Sequence, residues 1–193
     1  MGLVTLSDVN RYFLSSYDSN PSVLDAETER IEFLIEAVSS QVETICGRKF
    51  LEADHTEVYD GNGTNSIFLN QYPVNSITSI KYGTPFNSNT RDTISSEDYV
   101  FYSSFGEVTF NFCNIDHPQM FEVEYNAGYS EIPYDLNLYI LKQIAKELNK
   151  TSQDTTIKSE KLGDAAYTYV LSSEEKNIMT VELGELGYIR QDV

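Results

Sequence analysis

Hydrophobic positions change period twice along the chain, which divides it into three stretches. The first is helical. Thr5-Leu6-Ser7-Asp8 reads as a helix start, because Thr5 can cap and Asp8, three positions on, can reach back to the cap amide. Leu6, Val9 and Phe13 then share one face of a short helix over about 5–16. Residues 18–22 read as a loop. A longer helix over about 24–46 follows, with Ile31, Leu34, Ile35, Val38, Val42 and Ile45 at helical spacing. Glu29, Glu32, Glu36 and Glu43 lie off that stripe, Gly47 supplies the stop, and Arg48 and Lys49 sit where cations complement the helix dipole.

From about 50 to 129 the period becomes alternating. Ile67, Leu69, Ile77, Ile80 to Tyr82, Val100 to Tyr102, Val108 to Phe112 and Phe121 to Tyr125 read as strands. Their turns are explicit in Asp60-Gly61-Asn62-Gly63, read as a glycine-rich hairpin turn, and in Tyr72-Pro73, Gly83-Thr84-Pro85 and Phe105-Gly106. Residues 87–96 are polar and read as a loop. Helical period returns at Pro133, the first position of a helix over about 133–149 with Leu136, Ile140, Ile144 and Leu148 as its stripe and Leu141 beside it. A polar linker over 149–158 leads to an extended aromatic segment at 159–171. A last helix over about 173–186 carries Ile178, Val181, Leu183 and Leu186, interrupted by Gly184 and Gly187. The expectation is an α+β fold in a single domain, 1–193: a small helical bundle from residues 1–49 and 130–193 with a β-rich insertion at 50–129.

Composition narrows what such a chain can do. Its 193 residues suffice for one well-buried domain, and 14 Tyr with 10 Phe mark a folded protein. The formal charge is −17, which disfavours gripping phosphates and favours basic partners or a surface along which DNA slides without being held. Residues 50–129 hold eleven of the acids against two bases, Lys81 and Arg91. Cys46 and Cys113 lie far apart without metal or redox spacing and read as reduced thiols. The N-terminus lacks the pattern of a signal peptide, and no apolar run approaches the length of a membrane span, so the expectation is a protein without membrane association.

No constellation announces catalysis, a metal or a cofactor. His55 and His117 lack a second ligand at metal spacing, and Asp116-His117-Pro118 reads as a turn ahead of a proline. Asp60 to Asn65 resembles a calcium loop only superficially, since the alternating ligands and the terminal bidentate Glu are missing. A phosphate-binding glycine loop with its lysine is absent. Tyr167 and Tyr169 alternate with Thr168, which suits either an edge strand packed on one face or a tethered arm offering aromatic anchors to a neighbour.

Several phrases, in order, resemble the head–tail connector (adaptor, or head completion) proteins of tailed bacteriophages. They are Leu6-Ser7-Asp8-Val9, Cys46 to Phe50, Glu57 to Gly61 leading to Phe68-Leu69 and Pro73 to Ile77, Asn126 to Tyr129 with Pro133, and Ser159 to Asp164. The resemblance implies a structural virion protein, not an enzyme, without cofactors, made in the bacterial host cytoplasm and placed at the head–tail joint. It implies a homo-oligomer, a dodecameric ring, bound to the portal protein above and to a stopper or tail-completion protein below. Double-stranded DNA would pass through the lumen without sequence-specific binding. The β-rich stretch would be an expanded domain on the outside of the ring. Residues 159–171 and the tail through Arg190 become the candidate portal contacts, with Leu162, Tyr167, Tyr169 and Arg190 as the named side chains. Two other readings are a stopper or tail-completion protein, and a β-domain carbohydrate-binding module using the tyrosines of 50–129.

Overall fold

The computed structural model describes residues 2–13, 21–83, 91–150, 159–162, 165–168 and 172–190. Among them are α1 (Leu6–Phe13), α2 (Pro21–Cys46), β1 (Ala53–Gly61), β2 (Ser66–Phe68), β3 (Val74–Tyr82), β4 (Asp92–Thr93), β5 (Tyr99–Tyr102), β6 (Glu107–Phe110) and β7 (His117–Ala127). After these come α3 (Tyr134–Lys150), β8 (Ser159–Leu162), β9 (Ala165–Thr168) and α4 (Ser172–Glu185). The fold is α+β, with antiparallel sheets between helical segments. The chain divides into two compact units, residues 1–47 with 132–193 and residues 48–131. No helix among the described residues is long and apolar enough to cross a membrane.

The helical unit follows from local signals. Thr5 and Asp8 form the capping box: the Asp8 amide donates to Thr5 Oγ1 at 3.2 Å, and the Thr5 amide donates to Asp8 Oδ2 at 2.9 Å. Those Thr5 hydrogen bonds hold the Asp8 carboxyl below its ordinary range. α2 starts earlier than the sequence suggests. Pro21 and Ser22, expected in a loop, are helical, because proline's missing amide costs nothing in a first turn. Ile31, Ile35, Val38 and Val42 are buried, and Gly47 takes φ 65° to end the helix. α3 opens one residue after Pro133, whose carbonyl accepts from the Asn137 amide at 2.9 Å. Its Leu136, Ile140 and Ile144 are wholly buried.

α4 forms, but only Leu183 of its four expected apolar residues is buried. Met179 and Leu183 are buried, four residues apart, whereas Ile178, Val181 and Leu186 are exposed. The glycines do not interrupt it either. Gly184 is helical, and Gly187 at φ 79° completes a terminating motif in which the Tyr188 amide donates to the Leu183 carbonyl at 2.9 Å. Tyr188 is buried, and its hydroxyl donates to Asp135 Oδ1 at 2.7 Å, tying the end of α4 to the start of α3.

In the β-rich unit, one sheet has the order β1-β7-β3-β4 and a second the order β2-β6-β5. Both feed one core that includes Leu69, Ile80, Phe110, Phe121, Val123 and Tyr125. Phe110 of β6 stacks on Phe121 of β7 at 5.0 Å and 11°, which joins the two sheets. Three features differ from the sequence reading. Asp92–Thr93 pairs with β3 as a short strand where a loop is expected. The Asp60 to Gly63 turn is no hairpin, because β1 and β2 belong to different sheets. Asn114 secures this crossover, its Oδ1 accepting from the amides of Asn62 and Gly63 at 2.9 Å each. Finally, β1 has no alternating apolar pattern at all. Its half-buried positions are His55, Glu57 and Tyr59.

Candidate interface surfaces

The helices of the first unit bury one stripe each and carry an unexpected apolar residue on the opposite side. At about 100° per residue, Phe33 projects about 180° from the midpoint of Ile31 and Ile35. It is 71% exposed and lies between Glu29, Glu32 and Glu36. On α3, Tyr134 is 91% exposed and Leu138 is 42% exposed; both point away from the Leu136–Ile140–Ile144 stripe, with exposed Lys142 one turn further on. A groove of about 240 Å³ between α1 and α3 is lined by Asp8, Arg11, Tyr12, Tyr134, Asn137 and Leu141. The core stripes hide these positions from a sequence reading; the one available signal is an aromatic residue set among acids.

The β-rich unit has its own aromatic surface. Directly opposed residues of an antiparallel pair share a face. Phe68, Glu107 and Tyr102 are therefore aligned on the outer face of the β2-β6-β5 sheet, with Val100 beside them. Phe68, Val100, Tyr102 and the adjacent turn residue Phe105 are all exposed. The other face, carrying Ile67, Val108 and Phe110, goes to the core.

Inside this unit, polar groups are paired across strands. Glu57 Oε2 accepts from the hydroxyls of Tyr59 and Tyr125, the latter at 2.6 Å. The amides of Asn70 and Gln71 donate to the same two hydroxyl oxygens at 2.9 and 3.2 Å. Burial, followed by the Glu57 hydrogen bond, pushes both phenols well above their ordinary range. The His55 ring lies 5.6 Å from that of Tyr125. Arg48 is buried, with its guanidinium 3.7 Å from the Tyr72 ring centroid and donating to the Tyr72 carbonyl at 2.5 Å. A reading of Arg48 as a helix-end cation misses this engagement.

Glu122 accepts from Lys81 Nζ at 2.8 Å and from Arg91 Nη1 at 2.7 Å. Lys81 first, then Arg91, holds its carboxyl below the ordinary value of 4.5, while Lys81 is raised above 10.5. A depressed folded-state acid stabilises above its unfolded pKa, and that contribution is lost as pH falls through the folded value. The raised lysine keeps its contribution until pH climbs through its own folded value. Glu122→Gln is therefore expected to lower the urea midpoint at neutral pH and to flatten its decline on acidification below about pH 4.5. An unchanged acid limb in urea titrations would show the cluster to be idle.

The named sequence candidates are placed as follows. Leu162 ends β8 opposite Ala165, and Tyr167 of β9 pairs with Glu160. Arg190 lies half-buried two residues after Tyr188, and Tyr169 lies outside the described residues. Leu162 and Tyr167 thus share one hairpin. His117 opens β7, its Nδ1 2.9 Å from the Pro118 carbonyl oxygen. Cys46 is buried and Cys113 is exposed. Asp60 Oδ1 accepts from the Gln119 amide at 2.7 Å, so the loop with calcium-like spacing spends this oxygen on backbone.

The sequence model of the family described as Head completion protein matches residues 3–145. No curated protein matches the chain. Among solved structures, the fold is similar to a chain in the neck of an empty GTA particle computed with C6 symmetry. That likeness has a TM-score of 0.59 at 10% identity, covering 97% of this chain and 88% of the other. A chain in the virion of a native gene transfer agent (GTA) particle gives a TM-score of 0.60 at 9% identity, covering 99% and 91%. A chain in the neck of a native GTA particle computed with C12 symmetry gives 0.52 at 10% identity, covering 100% and 96%.

Proposed function

The chain belongs to the head completion protein family, and from that premise we propose that copies of it form a ring in the neck of a tailed-phage-like virion. The ring lies between the portal and the stopper or tail, extends the DNA channel and helps retain the packaged genome. The family match across residues 3–145 carries this reading, since it spans α1, α2, the whole β-rich unit and most of α3. The fold likeness to chains of necks computed with C6 and C12 symmetry supports it. So does the charge of −17 per copy, which lets an enclosed wall repel DNA instead of binding it. The role is mechanical and not enzymatic: the helical residues 1–49 and 130–193 serve as scaffold, with the β-rich insertion 50–129 presenting its aromatic sheet to another neck component. Leu162, Tyr167, Tyr169 and Arg190 meet the portal.

Electron microscopy of a lysate carrying an early stop codon in this gene tests the reading. Tailless heads, many emptied of DNA, are expected beside free tails. Trans-supplied protein lacking 159–168 and carrying Arg190→Ala is expected to leave the heads tailless, whereas full-length protein restores virions. Complete virions from the stop-codon lysate would overturn the neck assignment and send the exposed aromatic sheet to a glycan array. Binding to heads only after another neck protein has bound, and never to isolated portal, would make the protein a stopper.

A further inference from the structure

We propose that neighbouring copies in the ring meet through α2 of one copy and α3 of the next, with Phe33 seated against Tyr134 and Leu138 at the α1–α3 groove. This rests on the ring reading above. A closed ring needs two different complementary patches on each copy, placed so that one faces the other around the circle. The helical unit has such a pair. α2 and α3 pack on each other within one chain. Phe33 projects from the back of one helix and Tyr134 and Leu138 from the back of the other, so the two patches lie on opposite sides of the unit. One is a knob, a single phenyl ring 71% exposed. The other is concave, a groove of about 240 Å³ with Tyr134 as one wall.

Their charges match as well. The knob sits among Glu29, Glu32 and Glu36, with Arg30 also on its flank, so the patch is acidic on balance in a chain where cations are scarce. The groove has Arg11 in its lining beside Asp8, whose carboxylate already accepts from the Thr5 amide and hydroxyl, and Lys142 follows Leu138 by one turn. The spacing agrees: Glu29 lies four residues before Phe33 and Lys142 four after Leu138, about 6 Å along each helix. Phe33 against Leu138 therefore brings Glu29 to Lys142 if the two helices run antiparallel, and Glu36 to Lys142 if they run parallel. A second copy of this chain is the occupant that covers the apolar knob and brings a cation to the acidic patch.

Cysteine pairing in assembled particles tests the contact. In a Cys113→Ser background, Phe33→Cys with Leu138→Cys, the two positions the register sets opposite each other, is expected to yield, on mild oxidation, a ladder of covalent multimers on a non-reducing gel. Each single cysteine should give no ladder. Monomer alone, from particles holding as much of the protein as the parent does, would overturn this pairing while leaving the ring intact. Particles lacking even the Cys113→Ser parent would overturn the ring reading itself. A charge exchange leaves Phe33 in place and decides the matter if the cysteine pair is not incorporated. Lys142→Glu is expected to cut incorporation at least about fivefold, and adding Glu29→Lys or Glu36→Lys to the same chain to restore it. Whichever acid rescues gives the helix direction; rescue by neither overturns the proposal.

Discussion

Phe121→Ala is expected to destabilise the β-rich unit by about 3–5 kcal/mol, the cost of emptying a large aromatic site in a closed core. Phe121 is wholly buried in β7, the strand paired with both β1 and β3. Its ring stacks on Phe110 of the second sheet and lies 4.9 Å from Tyr82 at 45°. Removing it takes away the aromatic contact that joins the sheets and leaves a cavity that neighbours on two layers cannot both close. With an m-value of about 1–3 kcal/mol/M, the urea midpoint should fall by more than about 1 M. A loss below about 1.5 kcal/mol would mean the site collapses easily, contrary to a tightly packed inter-sheet core.

Gly128→Ala is expected to cost about 2–5 kcal/mol, combining left-handed backbone strain of about 1–2 with overpacking of about 1–3. Gly128 holds φ +111°, and an added Cβ would lie 2.6 Å from the Leu51 carbonyl oxygen and 2.8 Å from the Glu52 nitrogen. Those atoms are backbone and cannot swing aside. The same spot is stitched from several directions. The Gly128 amide donates to the Pro73 carbonyl at 2.9 Å, and its own carbonyl accepts from Asn75 Nδ2 at 3.0 Å. The Tyr129 amide donates to the Phe50 carbonyl at 2.7 Å, and the Glu52 amide to the Tyr129 carbonyl at 3.0 Å. Gly128 is thus where the first and last residues of the β-rich unit cross. Gly47→Ala is the internal control, because Gly47 also has positive φ, at +65°, but nothing lies within 4 Å of its added Cβ. Thermal melts should show the larger loss for Gly128→Ala, which adds the backbone clash to its strained φ. Equal losses would show that residues 50–52 yield to the new methyl group.

Both stability predictions bear on assembly. In the proposed neck role, a subunit that holds its contacts needs a β-rich unit that does not open. The Glu57–Tyr59–Tyr125 network serves the same end, because its two phenols are already engaged by carboxylate and amides.

Much of the architecture was legible in the sequence because it is set by near neighbours. Helical spacing in 31–45 and 136–148, the Thr5–Asp8 box, the stop at Gly47 and the helix start at Pro133 depend on residues three or four apart. The ordered phrases from Leu6 to Pro133 pointed to the family that the match over residues 3–145 shows. What escaped the sequence depends on contacts between distant residues. β1 could not be seen from its pattern, since His55, Glu57 and Tyr59 are tolerated inward only because Tyr125, Asn70 and Gln71 meet them from elsewhere in the chain. The same holds for the Asp60–Gly63 crossover, which takes its partner from Asn114, and for Arg48, which finds Tyr72.

On α4 the sequence supplied the helix but not its inward face: of the four apolar candidates packing kept only Leu183, and it added Met179. Phe33, Tyr134 and Leu138 remain outside for the corresponding reason: each helix has one buried side within the chain, and a residue on the other side is left for whatever the fold does not contain. Sequence alone thus determined the four helices and most of the strands, through short-range spacing and caps. The tertiary structure decided which polar groups are paired inside and which apolar groups are left outside, because burial is a property of the whole packed chain.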